Sequence, residues 1–175
     1  FNGFGVSCYN GSNGSITITA SGGTPNYNYS WSNGSSSNII SNIGAGSYSC
    51  TVSDDNGCTL PTIPITINEP SEIVDLIISS NVNCNGGNNG FASVFVNGGA
   101  QPYSYLWNDL NMQTTPNITT LIADTFIVAI TDAALCTVYD TIIISEPEQL
   151  ISNVNQTNIS CYGLSNGILI NTTIG

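Results

Sequence analysis

The sequence predicts an all-β chain assembled from tandem sandwich repeats, and three observations carry that expectation. A segment of about 76 residues occurs twice and begins a third time. Within each copy the hydrophobic residues alternate with period two, punctuated by pairs such as Gly22-Gly23 and Asn33-Gly34. No stretch has the 3.6-residue periodicity of an amphipathic helix.

The repeat is read from matched residues. Cys8-Tyr9-Asn10-Gly11-Ser12-Asn13-Gly14 returns as Cys84-Asn85-Gly86-Gly87-Asn88-Asn89-Gly90, and again as Cys161-Tyr162-Gly163-Leu164-Ser165-Asn166-Gly167. Gly22-Gly23 matches Gly98-Gly99, Tyr27 to Trp31 matches Tyr103 to Trp107, Asp54 and Cys58 match Asp132 and Cys136, and Glu69-Pro70 matches Glu146-Pro147. Copy one then spans residues 1–70, copy two 71–147, and copy three 148–175, where it stops after its first strands. Val6-Ser7-Cys8 aligns with Val82-Asn83-Cys84, so Phe1 falls inside a repeat whose N-terminal strand is expected to be incomplete. Gly175 aligns with Gly22 and Gly98, so both ends read as cuts in something longer. Each boundary is a glutamate followed by proline, which fixes its own φ and holds the preceding residue extended. Stiff joints of this kind favour a rod over a flexible string.

The elements follow in order. Ile16, Ile18 and Ala20 alternate with Ser15, Thr17 and Thr19, and Ala92, Val94 and Val96 keep the same phase, so a half-buried strand opens each copy. Tyr27, Tyr29 and Trp31 form a second strand, Tyr48, Cys50 and Val52 a third, and Ile63, Ile65 and Ile67 a fourth. Copy two repeats them as Tyr103, Tyr105 and Trp107, then Phe126, Val128 and Ile130, then Ile142 and Ile144. Gly22-Gly23, Asn33-Gly34 and Asp55-Asn56-Gly57 supply the positive φ of tight turns. A further strand near Ile73 to Ile78 brings the expectation to six or seven short strands per copy, that of an immunoglobulin-like β-sandwich. Copy three departs from the pattern: Asn171 and Thr173 stand where Ile18 and Ala20 stand in copy one, while Ile168 and Ile170 take the opposite phase. Either the register slips by one residue there or that strand packs differently.

The charge balance is one-sided. The chain has 11 Asp and Glu and no Lys, Arg or His, where roughly 20 cationic side chains would be ordinary for this length. Its carboxylates can be satisfied only by backbone N–H groups, hydroxyls, water or metal ions. A negative, self-repelling surface follows. Nucleic acid is excluded as a partner because phosphate neutralisation needs Lys or Arg, and anionic membranes are disfavoured for the same reason. No run approaches the 18 apolar residues of a membrane span, so membrane insertion is not expected. The opening residues lack the charged start and apolar core of a signal peptide.

Six cysteines allow 15 connectivities when all are paired, and the repeat narrows them. Copy two holds only Cys84 and Cys136, so a pairing shared by the copies would link those two, with Cys8 to Cys58 as its counterpart. Cys50 aligns with Val128 and is expected as an unpaired, buried thiol. Cys161 is left unpaired within the chain, its partner expected beyond residue 175. A repeat this small gains from a cross-link; closing a loop of about 50 residues is worth at most roughly 4 kcal/mol. Disulfides imply an oxidising, extracellular compartment. Zinc is the competing reading, but there is no histidine and no C-x₂-C spacing.

Little catalytic chemistry remains. Without His or Lys, acid–base work falls to carboxylates, tyrosines or cysteines. A carboxylate pair could make a glycosidase, yet the acids that recur, Asp54/Asp132 and Glu69/Glu146, are explained as turn and joint residues. No enzyme activity and no cofactor are expected. Asp54-Asp55-Asn56-Gly57 resembles half of a calcium loop, which makes Asp54 and Asp55 the speculative metal ligands and Ca²⁺ the one ion to consider. Copy two reads Asp132-Ala133-Ala134-Leu135 and loses most of those ligands, so a turn whose Asp accepts backbone N–H bonds is the better reading. Tyr27, Tyr29 and Trp31 could line a sugar-binding platform, but such a stripe is more often sandwich core. N-x-S/T sequons, as at Asn10 and Asn117, arise easily in a chain this rich in Asn, Ser and Thr.

The assembled pattern resembles the SprB-type repeat of large gliding-motility and cell-surface adhesins of Bacteroidetes. In copy one the residues that carry it are Cys8, Gly22, Gly23, Thr24, Pro25, Tyr27, Tyr29, Trp31, Gly34, Gly46, Tyr48, Val52, Asp54, Gly57, Cys58 and Pro70. Copy two is looser, with Gln101-Pro102 shifted, Asp109-Leu110 in place of Asn-Gly, and Leu135 before its cysteine. The resemblance covers essentially the whole chain. It implies a very long protein exported by the type IX system and displayed, outer-membrane-attached, as a filament that in some members moves along the cell to drive gliding. Asp140-Thr141-Ile142 also resembles the D-(S/T)-aliphatic O-glycosylation site of that phylum, with Thr141 as acceptor.

The function expected is therefore a non-enzymatic shaft segment of a surface adhesin. Its partners would be neighbouring repeats of the same long chain, the export and anchoring machinery, and polysaccharide or substratum. Two alternatives stand beside it: a glycan- or surface-binding sandwich module, and a laterally assembling pilus or matrix subunit.

Overall fold

The structure, a computed structural model, describes residues 5–62, 64–163 and 165–174. Every regular element among them is a strand. Copy one holds β1 (Gly14–Thr17), β2 (Asn28–Trp31), β3 (Ile39–Ile43), β4 (Gly46–Tyr48), β5 (Cys50–Ser53), β6 (Thr59–Pro61) and β7 (Ile65–Ile67). Copy two holds β8 (Val74–Ser80), β9 (Gly90–Asn97), β10 (Ser104–Trp107), β11 (Asn117–Leu121), β12 (Asp124–Thr131) and β13 (Thr137–Ile144). Copy three contributes β14 (Ile151–Thr157) and β15 (Ile168–Ile174). The strands pair as β1-β3, β2-β5-β6, β4-β7, β11-β9-β8, β10-β12-β13 and β14-β15.

The chain divides into two units, the first made of Phe1–Leu76, Val96–Tyr105 and Ala129–Tyr139, the second of Ile77–Phe95, Leu106–Val128 and Asp140–Gly175. In the first, β1 pairs antiparallel with β3, β5 with β2 and β6, and β4 with β7. Val6, Ile16, Trp31, Ile40, Ile43, Cys50 and Ile67 form one buried cluster drawn from all three sheets. The sheets thus enclose an immunoglobulin-like sandwich core, and the alternation expected for β1 sends Gly14 and Ile16 inward and Ser15 and Thr17 outward. Trp31 is 4 % exposed, and its indole N–H donates to the Ser37 carbonyl at 2.7 Å, so the ring is buried without an unmet donor. Burial of a side chain of that size contributes on the order of 3 kcal/mol.

The expected third strand is two strands. β4 pairs with β7 while β5 pairs with β2, so the chain changes sheets at Ser49. There the Ser49 N–H donates to Ser32 Oγ at 3.2 Å and its carbonyl accepts from the Ser32 N–H at 2.8 Å. The second unit repeats the device inside the unbroken β12: the Ile127 N–H donates to Asn108 Oδ1 and its carbonyl accepts from the Asn108 N–H. Of the expected fourth strand, Ile65 to Ile67 is present as β7, and Ile63 lies outside the described residues.

In the second unit Val82, Ala92, Trp107, Ile118, Leu121, Val128 and Ile144 are buried. They match, one for one, the seven buried positions of the first cluster. Copy three differs. β14 pairs with β15 in continuous register from Ile151↔Ile174 to Thr157↔Ile168, and both faces of this hairpin are exposed. Neither phase of its hydrophobic residues is therefore buried against a second sheet.

β3 and β11 escape a period-two reading because each carries a bulge. Ser41 and Ile43 pair with Ser15 and Gly14, which leaves Asn42 over, and Thr119 and Leu121 pair with Phe91 and Gly90, which leaves Thr120 over. The added residue spaces the inward positions by three, Ile40 to Ile43 and Ile118 to Leu121, with the same burial pattern in both strands. It also forces a left-handed backbone, φ 56° at Asn42 and 65° at Thr120. Asparagine tolerates that region and a β-branched threonine does not. Thr120→Asn is expected to raise the unfolding free energy by about 0.5–1 kcal/mol, measured by urea titration; an unchanged or lower midpoint would refute strain at the bulge.

Candidate functional site

With no cation in the chain, the recurrent carboxylates take backbone N–H groups as partners, and these bonds shape the loops that hold the cysteines. Asp54 Oδ1 accepts from the Asn56 and Cys58 N–H groups at 3.0 and 2.8 Å, and Oδ2 accepts from the Thr24 N–H at 3.0 Å. Asp132 does the same: Oδ1 accepts from Ala134 and Cys136, Oδ2 from Ala100, each at 2.9 Å. Both turns close through the main chain as well, from the Asp N–H to the Cys carbonyl at 3.0 Å. The Gly57 position, φ 78°, is held in copy two by Leu135 at φ 66°, so the turn survives loss of its glycine. The Asp54 carboxyl is held below its ordinary value of 3.8, chiefly by the Thr24 N–H and then by that of Cys58.

The first cysteine of each copy sits in a second recurrent loop. The Gly11 N–H donates to the Cys8 carbonyl and the Gly87 N–H to that of Cys84, both at 2.9 Å. Asn13 Oδ1 accepts from the Ser7 N–H at 3.0 Å, Asn89 Oδ1 from Asn83 at 3.0 Å, and Asn166 Oδ1 from Ser160 at 3.2 Å. The asparagine of the Asn-Gly motif is thus a clasp across the loop. Its glycine allows close approach, since a Cβ on Gly14 would lie 2.8 Å from the Ile43 carbonyl oxygen. The joint glutamates belong to the same loops: Glu69 accepts from the Asn10 N–H at 2.7 Å and Glu146 from the Gly86 N–H at 2.6 Å. Sequence reasoning placed these glutamates at boundaries but missed that each one ties a boundary to a cysteine loop.

The disulfide joins Cys8 to Cys136, with Cα atoms 5.7 Å apart. The expected links Cys8–Cys58 and Cys84–Cys136 are therefore replaced by one bond from the first cysteine of copy one to the second cysteine of copy two. Cys58 and Cys84 are exposed thiols. The reason is geometric. Cys8 precedes the start of β1, beside Glu69, whereas Cys58 lies in the Asp54 turn beside Thr24, past the end of that strand. Residues 14 to 20 alone span about 20 Å when extended, and a disulfide needs Cα atoms within about 7 Å. Cys50 is buried in the core cluster and Cys161 is exposed, both unbonded.

A closed circuit surrounds the bond. From Cys8 it runs through Asn10 to Glu69 and Pro70; the Ser71 carbonyl accepts from the Gly99 N–H at 2.9 Å; Ala100 donates to Asp132, whose turn returns to Cys136. Ile73 packs on Gly99, where a Cβ would come within 2.7 Å of it, and a Cβ on Gly98 would collide with the Glu72 carbonyl. The Gly-Gly pair thus makes room for the connecting segment as well as turning the chain. Asp132 is 3 % exposed within this circuit.

Other sequence-selected residues are placed as follows. Asp55 lies in the Asp54 turn, its N–H donating to the Thr24 carbonyl at 3.3 Å, and both Asp54 oxygens are occupied by backbone N–H groups. Among the described residues no group of three or more Cys, Asp or Glu is gathered as a metal ion requires. Tyr27 and Tyr103 donate through their hydroxyls to the carbonyls of Gly22 and Gly98, and Trp107 is fully buried. Asp109, read from sequence as a departure from Asn-Gly, shapes a longer turn, closed from the Trp107 N–H to the Gln113 carbonyl where copy one closes from Trp31 to Ser35: it accepts from Asn111 and from both the main chain and side chain of Gln113. Burial pushes its carboxyl up, but the bonds from Gln113 and Asn111 outweigh that and hold it below the usual range. Thr141 is exposed on β13.

A family model described as the SprB repeat matches residues 6–36 and 76–112 of this chain. Each stretch contains a first cysteine, Cys8 or Cys84, and runs past a core tryptophan, Trp31 or Trp107. No curated protein matches the sequence. Among solved structures, the amphioxus IgVJ-C2 molecule is similar over 80 % of this chain and 99 % of its own, at 15 % identity and a TM-score of 0.36; the all-β class stands on the strands and sheets themselves. The SprB repeat matches and the immunoglobulin-like sandwich fit a module of the cell-surface adhesin type, and no helix among the described residues is long and apolar enough to cross a membrane.

The Asp54 turn has a pH signature. Its carboxyl is depressed in the folded state, so its stabilisation is complete above the unfolded value of about 3.9 and is lost as pH falls through the lower folded value. The urea midpoint of the native chain is expected to fall on acidification below about pH 4. Asp54→Asn should be less stable at neutral pH and lose less on acidification; parallel curves for the two proteins would show that the turn bonds contribute nothing.

Proposed function

We propose that this chain is a non-enzymatic shaft segment of a long, secreted, surface-displayed bacterial adhesin filament that serves gliding motility. The observation that supports it most is the bond between Cys8 and Cys136, which ties one copy covalently to the next. A binding domain on a flexible string has no use for such a bond. A load-bearing rod does, because tension applied outside residues 8 and 136 passes through the sulfur atoms and bypasses the chain between them. In the chain-entropy model, closing a loop of 128 residues is worth about 5 kcal/mol. The cation-free surface contributes solubility, mutual repulsion between filaments and resistance to trypsin-like proteases. Such a bond belongs to an oxidising, extracellular compartment, with export by the type IX route and attachment at the outer membrane. Exposed Thr141 is the position suited to O-glycan attachment.

The glycan-binding alternative needs aromatic rings in contact with solvent. Trp31 and Trp107 are 4 % and 0 % exposed, and each indole N–H is bonded to a main-chain carbonyl within its own copy. That favours the shaft.

Two measurements separate these readings. Pulled by its ends in a force spectrometer, the oxidised chain should extend only through segments outside the disulfide. A thiol reductant should then release roughly 420–460 Å of added contour length, the 128-residue separation at 3.3–3.6 Å per residue. Equal extension before and after reduction would sink the load-bearing role. Tryptophan fluorescence should stay unchanged on adding bacterial or algal polysaccharides and resist acrylamide quenching; a saturable shift would favour the binding module.

A further inference from the structure

Two features of copy one have counterparts in copy two that are already engaged. The turn holding Cys136 carries the disulfide, and the Gly98-Gly99 floor beside it carries the segment Ser71 to Ile73. In copy one the same turn holds Cys58 as an exposed thiol. The same floor lies open: a Cβ on Gly22, with the φ of +84° that Gly98 also has, would meet nothing within 4 Å. A recess of about 420 Å³ occupies this place, and its lining includes Ile18, Gly22, Gly23, Asp54, Cys58 and Leu60. Leu60 is 73 % exposed there.

The other half of the joint also recurs. Cys84 lies in a loop with the hydrogen bonds of the Cys8 loop, from Gly87 to its carbonyl, across the Asn89 clasp, and to Glu146. It too is an exposed thiol. After Pro147, Glu148-Gln149-Leu150 stands where Ser71-Glu72-Ile73 stands after Pro70. Leu150 is 72 % exposed, whereas its counterpart Ile73 lies on Gly99.

We propose that Cys84 and Cys58 are staple sites for neighbouring repeats, so that the first cysteine of every repeat bonds the second cysteine of the repeat after it. The recess at Gly22-Gly23 is the seat for the connecting segment of a preceding repeat, whose aliphatic residue, matching Ile73 or Leu150, rests on the glycines and covers Ile18 and Leu60. Cys58 then bonds the first cysteine of that preceding repeat, and Cys84 the second cysteine of a following one. Each staple spans the start of the next, as Cys8–Cys136 spans Cys84, so successive loops overlap and no repeat can be drawn out alone. The inference needs only that a repeat of this pattern adjoins, and it is independent of motility and of adhesion.

The chemistry is thiol–disulfide exchange with a disulfide oxidant of the glutathione class. The Cys84 thiolate attacks one sulfur of the oxidant, forming a mixed disulfide and releasing one thiol. The incoming cysteine's thiolate then attacks Cys84 Sγ and displaces the second thiol. Two protein thiols lose two electrons and two protons, and the oxidant disulfide is reduced to two thiols.

The test lengthens the chain in both directions. One variant follows Gly175 with residues 99–147, which completes copy three, and its graft is marked by Thr137→Ser so that its cysteine peptide differs in mass. A second variant places residues 71–153 ahead of Phe1, the added segment marked by Asn83→Ser, the residue that copy one has at Ser7, and by Thr137→Ser, so that its two cysteine peptides differ in mass from the native ones. Each is refolded in reduced and oxidised glutathione and digested with chymotrypsin without reduction, since trypsin has no cleavage site. The expected peptides link Cys84 to the marked graft cysteine in the first variant, and Cys58 to the first cysteine of the added repeat in the second, with Cys8–Cys136 intact in both. A marked graft cysteine bonded to Cys161, a bond between Cys58 and the native Cys84, Cys84 still alkylatable in the first variant, or Cys58 still alkylatable in the second, beside an intact Cys8–Cys136, would overturn the proposal. Loss of Cys8–Cys136 from the unlengthened chain would overturn it together with the load-bearing role, whereas a missing added staple alone leaves that role standing.

Discussion

Carboxylates that bond to backbone N–H groups hold this molecule together where it is most demanding. A chain without Lys, Arg or His cannot neutralise Asp and Glu with salt bridges, and a carboxylate placed in a turn must find other donors or stay in water. Asp54 and Asp132 each take three backbone N–H groups, while Glu69 and Glu146 each take one backbone N–H from the loop after a first cysteine, Glu146 accepting from the Asn85 side chain as well. Such bonds to an ionised acceptor are among the stronger neutral-donor bonds a protein makes. They fix the two kinds of cysteine loop, and the loops fix which sulfurs can meet.

The sandwich core is simpler. Seven buried positions in copy one have seven buried counterparts in copy two; four are identical and three change within the hydrophobic class, Ile16 to Ala92, Ile43 to Leu121 and Cys50 to Val128. Cys50 is a small hydrophobe in this setting. In the loops that shape the joint the bonding groups recur, Asp54 with Asp132, Asn13 with Asn89 and Glu69 with Glu146, while Asp55, Asn56 and Gly57 give way to Ala133, Ala134 and Leu135. Copy three shows the other side of this. Its cysteine loop keeps the Asn166 clasp, and its two strands pair although nothing covers either face. Local hydrogen bonding therefore persists without a core.

Functionally, the joint and not the surface of a single sandwich is where this chain invests its special residues. The Gly-Gly floor, the Asp turn, the Asn-Gly clasp and the Glu-Pro connection all meet around Cys8–Cys136. The aromatic stripe that could have bound sugar faces inward at its tryptophan end. A device that strengthens attachment between consecutive repeats suits a structure that transmits force.

Residue spacing and side-chain chemistry carry the repeat, the all-β class, the inward phase of Ile16, Trp31 and Val128, and the role of Asp54 as a turn residue, because each is a local property that the order of residues displays. That order did not reveal β3 and β11, since the bulges at Asn42 and Thr120 replace a spacing of two with a spacing of three. Nor could it reveal β6, whose three residues are all exposed and carry no hydrophobic pattern. The disulfide was decided by tertiary structure alone. Aligned copies show which cysteines are equivalent, but a bond within each copy and a bond from each copy to the next respect that equivalence equally. Only the run of β1, which carries the chain from the Cys8 loop to the far Cys58 turn, excludes the first and leaves Cys8 beside Cys136.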